Sequence, residues 1–327
     1  LTVNGAAIPL PSASVRVEEL RGEAFGSAAW RISPLLTTEA GLRVETSTIS
    51  QTGDAAVEKT LSFVKPRLSA TWSPNPANQL RLRAEREVGQ LDFGDFAASA
   101  ELANGTVNAG NADLEPETGW VFEAAYERRF WGEGVAILTL RHKAIENAID
   151  IVPIFTPGGV LSAPGNIGEG TLDELQFDLT VPLDRVGLRG GRLQTSTTIR
   201  EAEVTDPTTG QTRFLSGVSR RDGEIVLSQD LPRWRLNWKL SYAPGNTVTS
   251  YRIDSINRQE IADYVEANVE YKPRPNITIR FTATTLGAID QSRLVFAGPR
   301  GASPLSYRER VGVDPDPYFA IRTRFTF

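Results

Sequence analysis

Apolar and polar residues alternate with a period of two along much of this chain. The clearest stretches are residues 80–85, 234–242, 264–271, 277–284 and 319–327, in which apolar side chains alternate with charged or hydroxyl-bearing ones. This period is typical of β-strands, because successive side chains of a strand point to opposite faces. No window approaches 18 uninterrupted apolar residues, so the sequence does not predict a transmembrane helix.

The alternation predicts an all-β fold of about 14 strands. We place them at residues 12–20, 24–33, 41–50, 60–73, 78–88, 119–130, 135–152, 172–182, 191–203, 223–243, 247–256, 263–272, 276–286 and 317–327. The long 223–243 segment is expected to bulge at Leu231 and Pro232, because proline has no N–H to donate to an interior ladder.

Each predicted strand has one apolar face and one face rich in charge, and two architectures fit this pattern. In a soluble β-sandwich, the apolar faces would pack against each other as the core and the charged faces would meet water. In a transmembrane antiparallel β-barrel, the apolar face would meet lipid and the charged face would line a wet lumen. The strands are about as long as the 9–11 residues that a tilted strand needs to cross a bilayer.

The lengths of the connections favour the barrel. Four connections are short and rich in turn residues: 74–76, 132–134, 244–246 and 273–276. Four others are long: 89–118, 153–171, 204–222 and 287–316. With the C-terminus in the periplasm, all long loops fall outside the cell and all short turns inside, which is the outer-membrane arrangement. A sandwich has no reason to sort its loops in this way, and four such loops would be unusual in a compact soluble domain.

Composition narrows the chemistry further. The 327 residues include 35 basic and 40 acidic ones, for a net charge of −5, so no global basic field attracts nucleic acid. The chain has no cysteine and one histidine, which excludes a disulfide framework, a thiolate metal site and a His-rich metal centre. It begins with Leu1 and has no signal-peptide pattern there, so we expect part of the N-terminus to lie outside this sequence.

Two segments resemble the TonB-dependent receptors of bacterial outer membranes. Residues 110–118 match that family's N-x-D-L-x-P-E segment, which ends an external loop and opens a barrel strand, at Asn111, Asp113, Leu114, Pro116 and Glu117. Residues 263–327 are similar to the family's last strands and finish on alternating aromatics, Phe325 and Phe327. In the family, the barrel-assembly machinery recognises such a terminal pattern.

The resemblance implies that residues 1–327 are a segment of an outer-membrane β-barrel of a Gram-negative bacterium. The family barrel has 22 strands, of which about 14 would lie here, with the N-terminal plug and early strands outside this chain. The implied partners are outer-membrane lipid and lipopolysaccharide, the plug domain and remaining barrel strands, TonB through the plug, the barrel-assembly machinery, and a surface protein. The alternative is a complete smaller barrel, since bacterial single-chain barrels have even strand numbers.

No pattern in the sequence predicts a catalytic, cofactor-binding or metal-binding residue. His142 is the single histidine, lies between two cations and has no carboxylate adjacent in sequence, so we interpret it as a strand residue near an interface. The carboxylate pairs Glu115/Glu117 and Asp314/Asp316 could ligate calcium through oxygen. Both pairs lie beside prolines in loops, where turn formation is the commoner role.

Function should then reside in the lumen wall and the external loops. The predicted inward residues are Arg81, Arg83, Glu85, Arg235, Lys239, Glu266, Glu270, Arg280, Arg322 and Arg324. Four loop aromatics, Phe93, Phe96, Phe296 and Tyr307, either contact a ligand or pack their own loops. We predict a TonB-dependent receptor barrel for energised uptake of a scarce, bulky solute. The alternatives are a passive porin-like channel and a structural barrel that anchors a surface partner.

Overall fold

The computed structural model describes residues 2–3, 6–7, 14–53, 56–97, 99–101, 106–108, 110–156, 159–285 and 287–326. In chain order the strands are β1 (Thr2–Val3), β2 (Ala6–Ala7), β3 (Val15–Ser33), β4 (Leu36–Gly53), β5 (Val57–Asn75), β6 (Asn78–Val88), β7 (Ser99–Glu101), β8 (Thr106–Asn108), β9 (Thr118–Phe130), β10 (Gly134–Glu146), β11 (Ile149–Thr156), β12 (Gly159–Asn166), β13 (Gly170–Pro182), β14 (Gly191–Thr205), β15 (Thr212–Arg213), β16 (Arg221–Leu231), β17 (Leu236–Ala243), β18 (Asn246–Tyr251), β19 (Ser255–Ile261), β20 (Tyr264–Arg274), β21 (Ile277–Thr285), β22 (Ile289–Phe296), β23 (Leu305–Val313) and β24 (Tyr318–Phe325).

The helical elements of the described residues are three short 3₁₀ turns at Phe93–Phe96, Asp184–Val186 and Pro232–Trp234. None of the helices in the described ranges has the length and apolar character needed to span a membrane.

Most of the chain belongs to one antiparallel sheet of 14 strands, which confirms the predicted fold class. Its strands follow one another as neighbours in the order β3-β4-β5-β6-β9-β10-β13-β14-β16-β17-β20-β21-β24, and the two-residue strand β15 pairs with β14. Within the described residues, the outer edges of β3 and β24 pair with no strand. The closed ring of 14 that a complete small barrel would form is therefore absent from the described part of the chain.

The alternation seen in the sequence gives this sheet two chemically different faces. On β10, Leu138 and Leu140 are exposed and lie opposite Tyr126 and Ala124 of β9. The intervening residues of these two strands include Glu123 and Arg141, and their side chains point to the other face. We call the first face of the main sheet the apolar face and the second the polar face.

The two ends of the main sheet differ sharply in the length of their connections. At the turn end, neighbouring strands are joined by short segments: 34–35, 76–77, 131–133, 183–190, 232–235 and 275–276. At the loop end, the long connections are 89–117, 147–169, 206–220, 244–263 and 286–317. The four long loops predicted from the sequence all lie at the loop end, as expected for a barrel.

Four of the predicted strand assignments are wrong. The strands predicted at 12–20 and 24–33 are, over the described residues, one continuous strand, β3 (Val15–Ser33), because Gly22 and Gly26 pair with β4 without a break. The 223–243 segment is not a bulged strand but the hairpin β16–β17, in which Pro232 opens a 3₁₀ turn. Proline's fixed φ suits the first residue of a helical turn, where no N–H is needed.

The third error concerns residues 135–152, which are not one strand: β10 ends at Glu146, and Ile149–Thr156 is β11, a strand outside the main sheet. The fourth error concerns residues 244–256. Pro244 to Asn246 is not a turn-end connection, since it joins β17 to β18 at the loop end. β18 is not a strand of the main sheet but pairs with β19, and β19 and β23 both pair with β22. These strands form a separate four-stranded sheet, which we call the loop sheet; β11, β12, β8 and β7 form another. The long connections are therefore themselves strand-rich.

Candidate functional site

Ion pairs between neighbouring strands cross the polar face of the main sheet. Arg83 of β6 is 2.8 Å from Glu123 of β9. Arg141 of β10 is 2.8 Å from Glu174 of β13, and Arg200 of β14 is also 2.8 Å from Glu174. Charged side chains at matching positions of adjacent strands stabilise their pairing, and here they also keep this face wettable.

The inward residues predicted from the sequence lie on this polar face, with one exception. Arg81 contacts Glu127 and Arg280 contacts Glu270, while Arg322 lies opposite Arg280 in the register of β21 and β24. Arg235 is not a strand residue. It caps the 3₁₀ turn at Pro232–Trp234 with φ of 55° and donates a hydrogen bond to the carbonyl of Pro273 at the turn end.

The family-like segment at Asn111–Glu117 is a structural junction of the loop end. Asn111 Nδ2 donates to the Pro164 carbonyl (2.9 Å), and its Oδ1 accepts from the Asp113 amide (3.0 Å). The Lys59 ammonium donates to the Leu114 carbonyl, and Lys143 Nζ is 2.7 Å from Glu117 Oε1. Glu115 forms reciprocal hydrogen bonds with the side chain of Asn166 through its backbone amide and carbonyl.

Leu114 of this segment is buried, and its packing accounts for one of the predicted loop aromatics. Leu114 is fully buried and packs in one apolar cluster with Ile49, Leu91 and Phe96. Phe96 is only 1% exposed. Of the two roles that the sequence left open, its burial favours packing within its own loop over contact with a ligand. Phe93 is 42% exposed and contacts Phe96 edge to face, with ring centroids 6.4 Å apart.

The other aromatic residues singled out from the sequence lie apart from this cluster. Phe296 ends β22 and is partly buried, and its amide donates to the Asp254 carbonyl (2.8 Å). Tyr307 on β23 is 52% exposed. Phe325 is exposed on the apolar face of β24, where it pairs with Ile277. Phe327, the last residue of the predicted assembly signal, lies outside the described residues.

A buried ionic cluster at the loop end was not predicted from the sequence. Arg300 Nη2 donates to both carboxylate oxygens of Asp206, at 3.0 and 2.7 Å. Arg213 Nε donates to Asp206 Oδ2 and Arg213 Nη2 to Asp150 Oδ2, both at 2.7 Å. The two guanidinium groups also lie over the Tyr251 ring, 4.4 and 5.4 Å from its centroid. We call these five residues the loop clasp.

The loop clasp joins four connections of the loop end that are distant in sequence. Asp150 lies on β11, Asp206 and Arg213 lie in the 206–220 connection, Tyr251 lies on β18, and Arg300 lies between β22 and β23. The four charged side chains are between 2% and 7% exposed, so water cannot replace the internal partners. Two cations and two anions balance one another, as buried charges require. No sequence motif links residues 150, 206, 213 and 300, which is why pattern analysis missed them.

The surroundings of Asp206 alter its acidity. Burial opposes its ionisation and would raise the pKa, but hydrogen bonds from Arg300, the Thr208 amide and Arg213 outweigh burial and hold the pKa of Asp206 below its usual value. The opposite balance applies to Asp95 in the 3₁₀ turn of the 89–117 loop. Its burial, together with the nearby Asp92 carboxylate, raises the pKa of Asp95.

His142 has a carboxylate partner that only the fold reveals. Its Nδ1 lies 2.7 Å from Asp173 Oδ1, and the two residues face each other across β10 and β13 on the apolar face. Within the described part of the chain, the hydrogen bonds of this exposed pair include no third group that orients it towards a nucleophile. Among the described residues, no group of three or more His, Cys, Asp or Glu side chains is arranged to hold a metal ion.

Comparison with known proteins places the chain in a family. Residues 2–286 match the family of TonB dependent receptor-like β-barrels, and the chain belongs to that family. Its members are receptors and transporters of the Gram-negative outer membrane. No curated protein sequence matches the chain.

Solved structures of outer-membrane transporters share the fold at low sequence identity. The copper transporter OprC superposes with a TM-score of 0.68 at 12% identity, over 95% of this chain and 50% of its own. The ferric-catecholate import receptor Fiu from K12 E. coli superposes with a TM-score of 0.65 at 9% identity, over 99% of this chain and 47% of its own. The siderophore receptor PiuA from Acinetobacter baumannii superposes with a TM-score of 0.60 at 13% identity, over 95% of this chain and 44% of its own. The chain thus spans about half the length of these solved structures.

Proposed function

We propose that this chain forms wall and external loops of a receptor that takes up a scarce, bulky solute across the outer membrane with energy delivered by TonB. The family match over residues 2–286 carries this proposal. The loop end would face the cell exterior and the turn end the periplasm, as is usual for outer-membrane barrels. No step of this function needs covalent chemistry, so we assign no catalytic residue.

The two faces of the main sheet support this role. The apolar face carries exposed Leu68, Leu82, Phe122 and Leu140, which suit contact with lipid and lipopolysaccharide. The polar face carries the ion pairs around Glu174, which suit a water-filled lumen or contact with a polar plug domain. We propose that the plug and further barrel strands lie outside this chain, and that TonB acts through the plug.

The solute class is proposed from the structural neighbours. Among these neighbours, OprC is a copper transporter, FrpB from Neisseria meningitidis is an iron transporter and PiuA is a siderophore receptor. We therefore propose a metal or a metal chelate as the first class of solute to test. Such solutes are scarce and the chelates exceed the size that passive pores admit, so energised uptake would be advantageous for them.

Uptake in living cells tests this function. A strain that lacks the complete receptor is compared with the parent for growth on copper or on iron chelates as the limiting metal source. We expect the parent to use at least one of these sources, and to lose that use when its tonB gene is deleted. Uptake should also stop when an uncoupler collapses the proton gradient, because TonB draws its energy from the inner membrane.

A passive channel would give a different result. A passive channel would give uptake that depends on this protein, persists without TonB and rises linearly with solute concentration. That result would contradict the receptor function and support a porin-like channel. A strain whose growth is unchanged on every source, but which loses a protein from the cell surface, would favour the scaffold function.

A further inference from the structure

The loop sheet carries a polar cavity on the side that continues the polar face of the main sheet. Asn246 Nδ2 donates to Asp222 Oδ1 (3.2 Å), and Asp222 pairs with Arg200 of the polar face. Ser219, whose hydroxyl donates to the same Asp222 oxygen (2.7 Å), forms a β-bridge with Val248. Asn246 and Val248 of β18 therefore point to the polar side, since every second residue of a strand shares a face.

The strand register carries this face across the loop sheet. Val248 lies opposite Gln259 of β19, and Gln259 lies opposite Gln291 of β22. In the next row, Asn257 of β19 lies opposite Arg293 of β22, which lies opposite Glu309 of β23. Directly opposed residues project their side chains on the same side of a sheet. Three amide side chains, one guanidinium and one carboxylate thus form a single polar surface.

This surface lines a cavity with room for part of a solute. The cavity has a volume of about 260 Å³, and Arg252, just beyond the end of β18, also lines it. A single water molecule needs only about 10–15 Å³ of such space, so the cavity can hold a polyatomic group. On the opposite side of the loop sheet, Arg258 pairs with Glu260 and Arg310 pairs with Asp290.

The lining residues define the chemistry of the group that fits. A guanidinium presents a planar fork of donors that matches a carboxylate or a phosphate. Amide side chains both donate and accept, which suits hydroxyl groups. Asn257 Oδ1 is buried and has no hydrogen-bond partner among the described residues, so it can accept a hydrogen bond from a bound hydroxyl.

We propose that this cavity binds an oxygen-rich anionic group of the transported solute, in which a carboxylate or phosphate stands close to a hydroxyl. Arg252 and Arg293 contact the anionic oxygens, and Asn257, Gln259 and Gln291 contact the hydroxyl. The site deepens the proposed function, on which it rests, because it lies on the face along which the solute would pass.

Binding to the complete receptor, purified in detergent, tests the site. The probes are radiolabelled malate, a hydroxycarboxylate, and glycerol 3-phosphate, with neutral glycerol as the reference, and binding is measured by equilibrium dialysis. We expect saturable binding of malate or of glycerol 3-phosphate and none of glycerol. Preference for malate assigns the anionic group as a carboxylate, and preference for glycerol 3-phosphate assigns it as a phosphate.

Variants of neighbouring residues on β22 and β23 supply the matched comparison. Arg293→Gln should weaken binding of the preferred probe roughly tenfold or more, because a charge-assisted hydrogen bond is lost. Arg308→Gln removes an identical charge from the opposite side of the loop sheet and should change binding less than about twofold. Gln291→Leu is a second variant of the site that leaves the net charge unchanged, for use if Arg293→Gln does not reach the membrane. It should also weaken binding.

Two outcomes would overturn the proposal. One is the absence of saturable binding of both anions to the unmodified receptor. The other is an equal loss with Arg293→Gln and Arg308→Gln, which would mean that only general positive charge attracts the probes. TonB-dependent uptake is measured separately in the same variants. If uptake by Arg293→Gln stays TonB-dependent with an unchanged half-saturation concentration, the proposed function stands and the proposed site is wrong. If the receptor binds the anions but shows no TonB-dependent uptake, the site stands and the proposed function is wrong.

Discussion

At the scale of single residues, Leu114 provides the apolar anchor of the 89–117 loop. It is fully buried among Ile49, Leu91 and Phe96. The surrounding hydrogen bonds hold the backbone in place, but the apolar packing of the cluster requires the Leu114 side chain. Leu114→Ala should destabilise the folded loop by about 2–5 kcal/mol, the usual cost of such a truncation in a packed core.

Limited proteolysis of intact cells reports this change. Protease added outside the cells should cleave the 89–117 loop of Leu114→Ala faster than that of the parent, while the barrel itself remains assembled. Val186→Ala, which truncates an exposed side chain at the turn end, is the control and should leave cleavage unchanged. Equal cleavage rates for Leu114→Ala and the parent would remove the anchoring role.

The loop clasp predicts a pH dependence. The pKa of Asp206 in the folded protein is held below the usual 3.8. The ionised form of Asp206 therefore stabilises the loops fully at every pH above the pKa that this group has in the unfolded chain. This stabilisation is lost as pH falls through the lowered pKa, when protonated Asp206 leaves Arg213 and Arg300 buried with less negative charge. We therefore expect stable loops at pH 5 to 7 and loosening only in strongly acidic solution.

Accessibility of the clasped loops measures this effect. Brief labelling of the intact receptor by hydroxyl radicals should modify Tyr251 little at neutral pH, and more only once the pH falls below the range in which ordinary carboxylates titrate. Asp206→Asn should give high labelling at every pH, because breaking a buried ion pair costs about 3–5 kcal/mol. A parent receptor whose labelling rises in the pH range of ordinary exposed carboxylates, near pH 4 to 5, would contradict the lowered pKa.

The residues of the clasp also mark the limit of inference from the sequence. The N-x-D-L-x-P-E match located a junction of the loop end, because its residues are contiguous. Asp150 and Arg300 are 150 residues apart and lie in no periodic pattern, so only the packing of the loops brings them to Arg213 and Asp206. The same holds for His142 and Asp173, which the register of β10 and β13 places opposite each other.

At the scale of elements, the two faces of the main sheet should tolerate charge very differently. Leu140 is exposed on the apolar face of β10, and its neighbour Thr139 points to the polar face. Leu140→Arg should cost about 2–4 kcal/mol if this part of β10 lies near the bilayer centre, because lipid cannot solvate the charge. Thr139→Arg, one residue away on the wet side, should cost less than about 1 kcal/mol.

Unfolding of the complete receptor by urea in lipid vesicles measures both variants. Because the two substitutions introduce the same side chain at adjacent positions, strand propensity and general charge effects cancel in the comparison. Similar losses for both variants would mean that the apolar face does not meet lipid.

The predicted assembly signal also belongs to the element scale. Phe325 lies on the apolar face of β24. We expect Phe327→Ser to lower the amount of receptor in the outer membrane, as the family resemblance implies, and Phe325→Ser to do the same. Heat-modifiable mobility of the folded barrel in gels quantifies assembly. Unchanged assembly in both variants would exclude the terminal aromatics as a signal.

Strands were predicted correctly where apolar and polar residues alternate without a break. The prediction failed where this alternation continues through a turn, because the turn then leaves no mark in the pattern. β9, β13 and β20 were located within a few residues because their apolar and polar positions alternate throughout. The hairpin β16–β17 was missed because its 3₁₀ turn is short and Trp234 and Leu236 continue the alternation across it. β18 was assigned to the main sheet because its own alternation does not indicate which strand it pairs with.

At the scale of the whole molecule, the open edges of the main sheet need partners. A row of unpaired amides and carbonyls cannot face lipid, because each unsatisfied group costs several kcal/mol there. Either β3 pairs with β24, or strands outside this chain pair with both. The solved structures are about twice as long as the chain, since it covers 44% to 50% of those compared above. We therefore propose that other strands separate β3 from β24.

Cysteine cross-linking decides between these arrangements, and the absence of native cysteine from the chain makes its background low. The complete receptor carries Ala28→Cys on β3 together with Phe319→Cys, Ile321→Cys or Thr323→Cys on β24, and an oxidant is applied to membranes. We expect no disulfide with any of the three partners, because disulfide formation requires Cα atoms within about 7 Å. Ala28→Cys with Ala40→Cys, which face each other across β3 and β4, is the positive control. A disulfide between β3 and β24 would instead mean that the strands of this chain close on themselves as a small barrel.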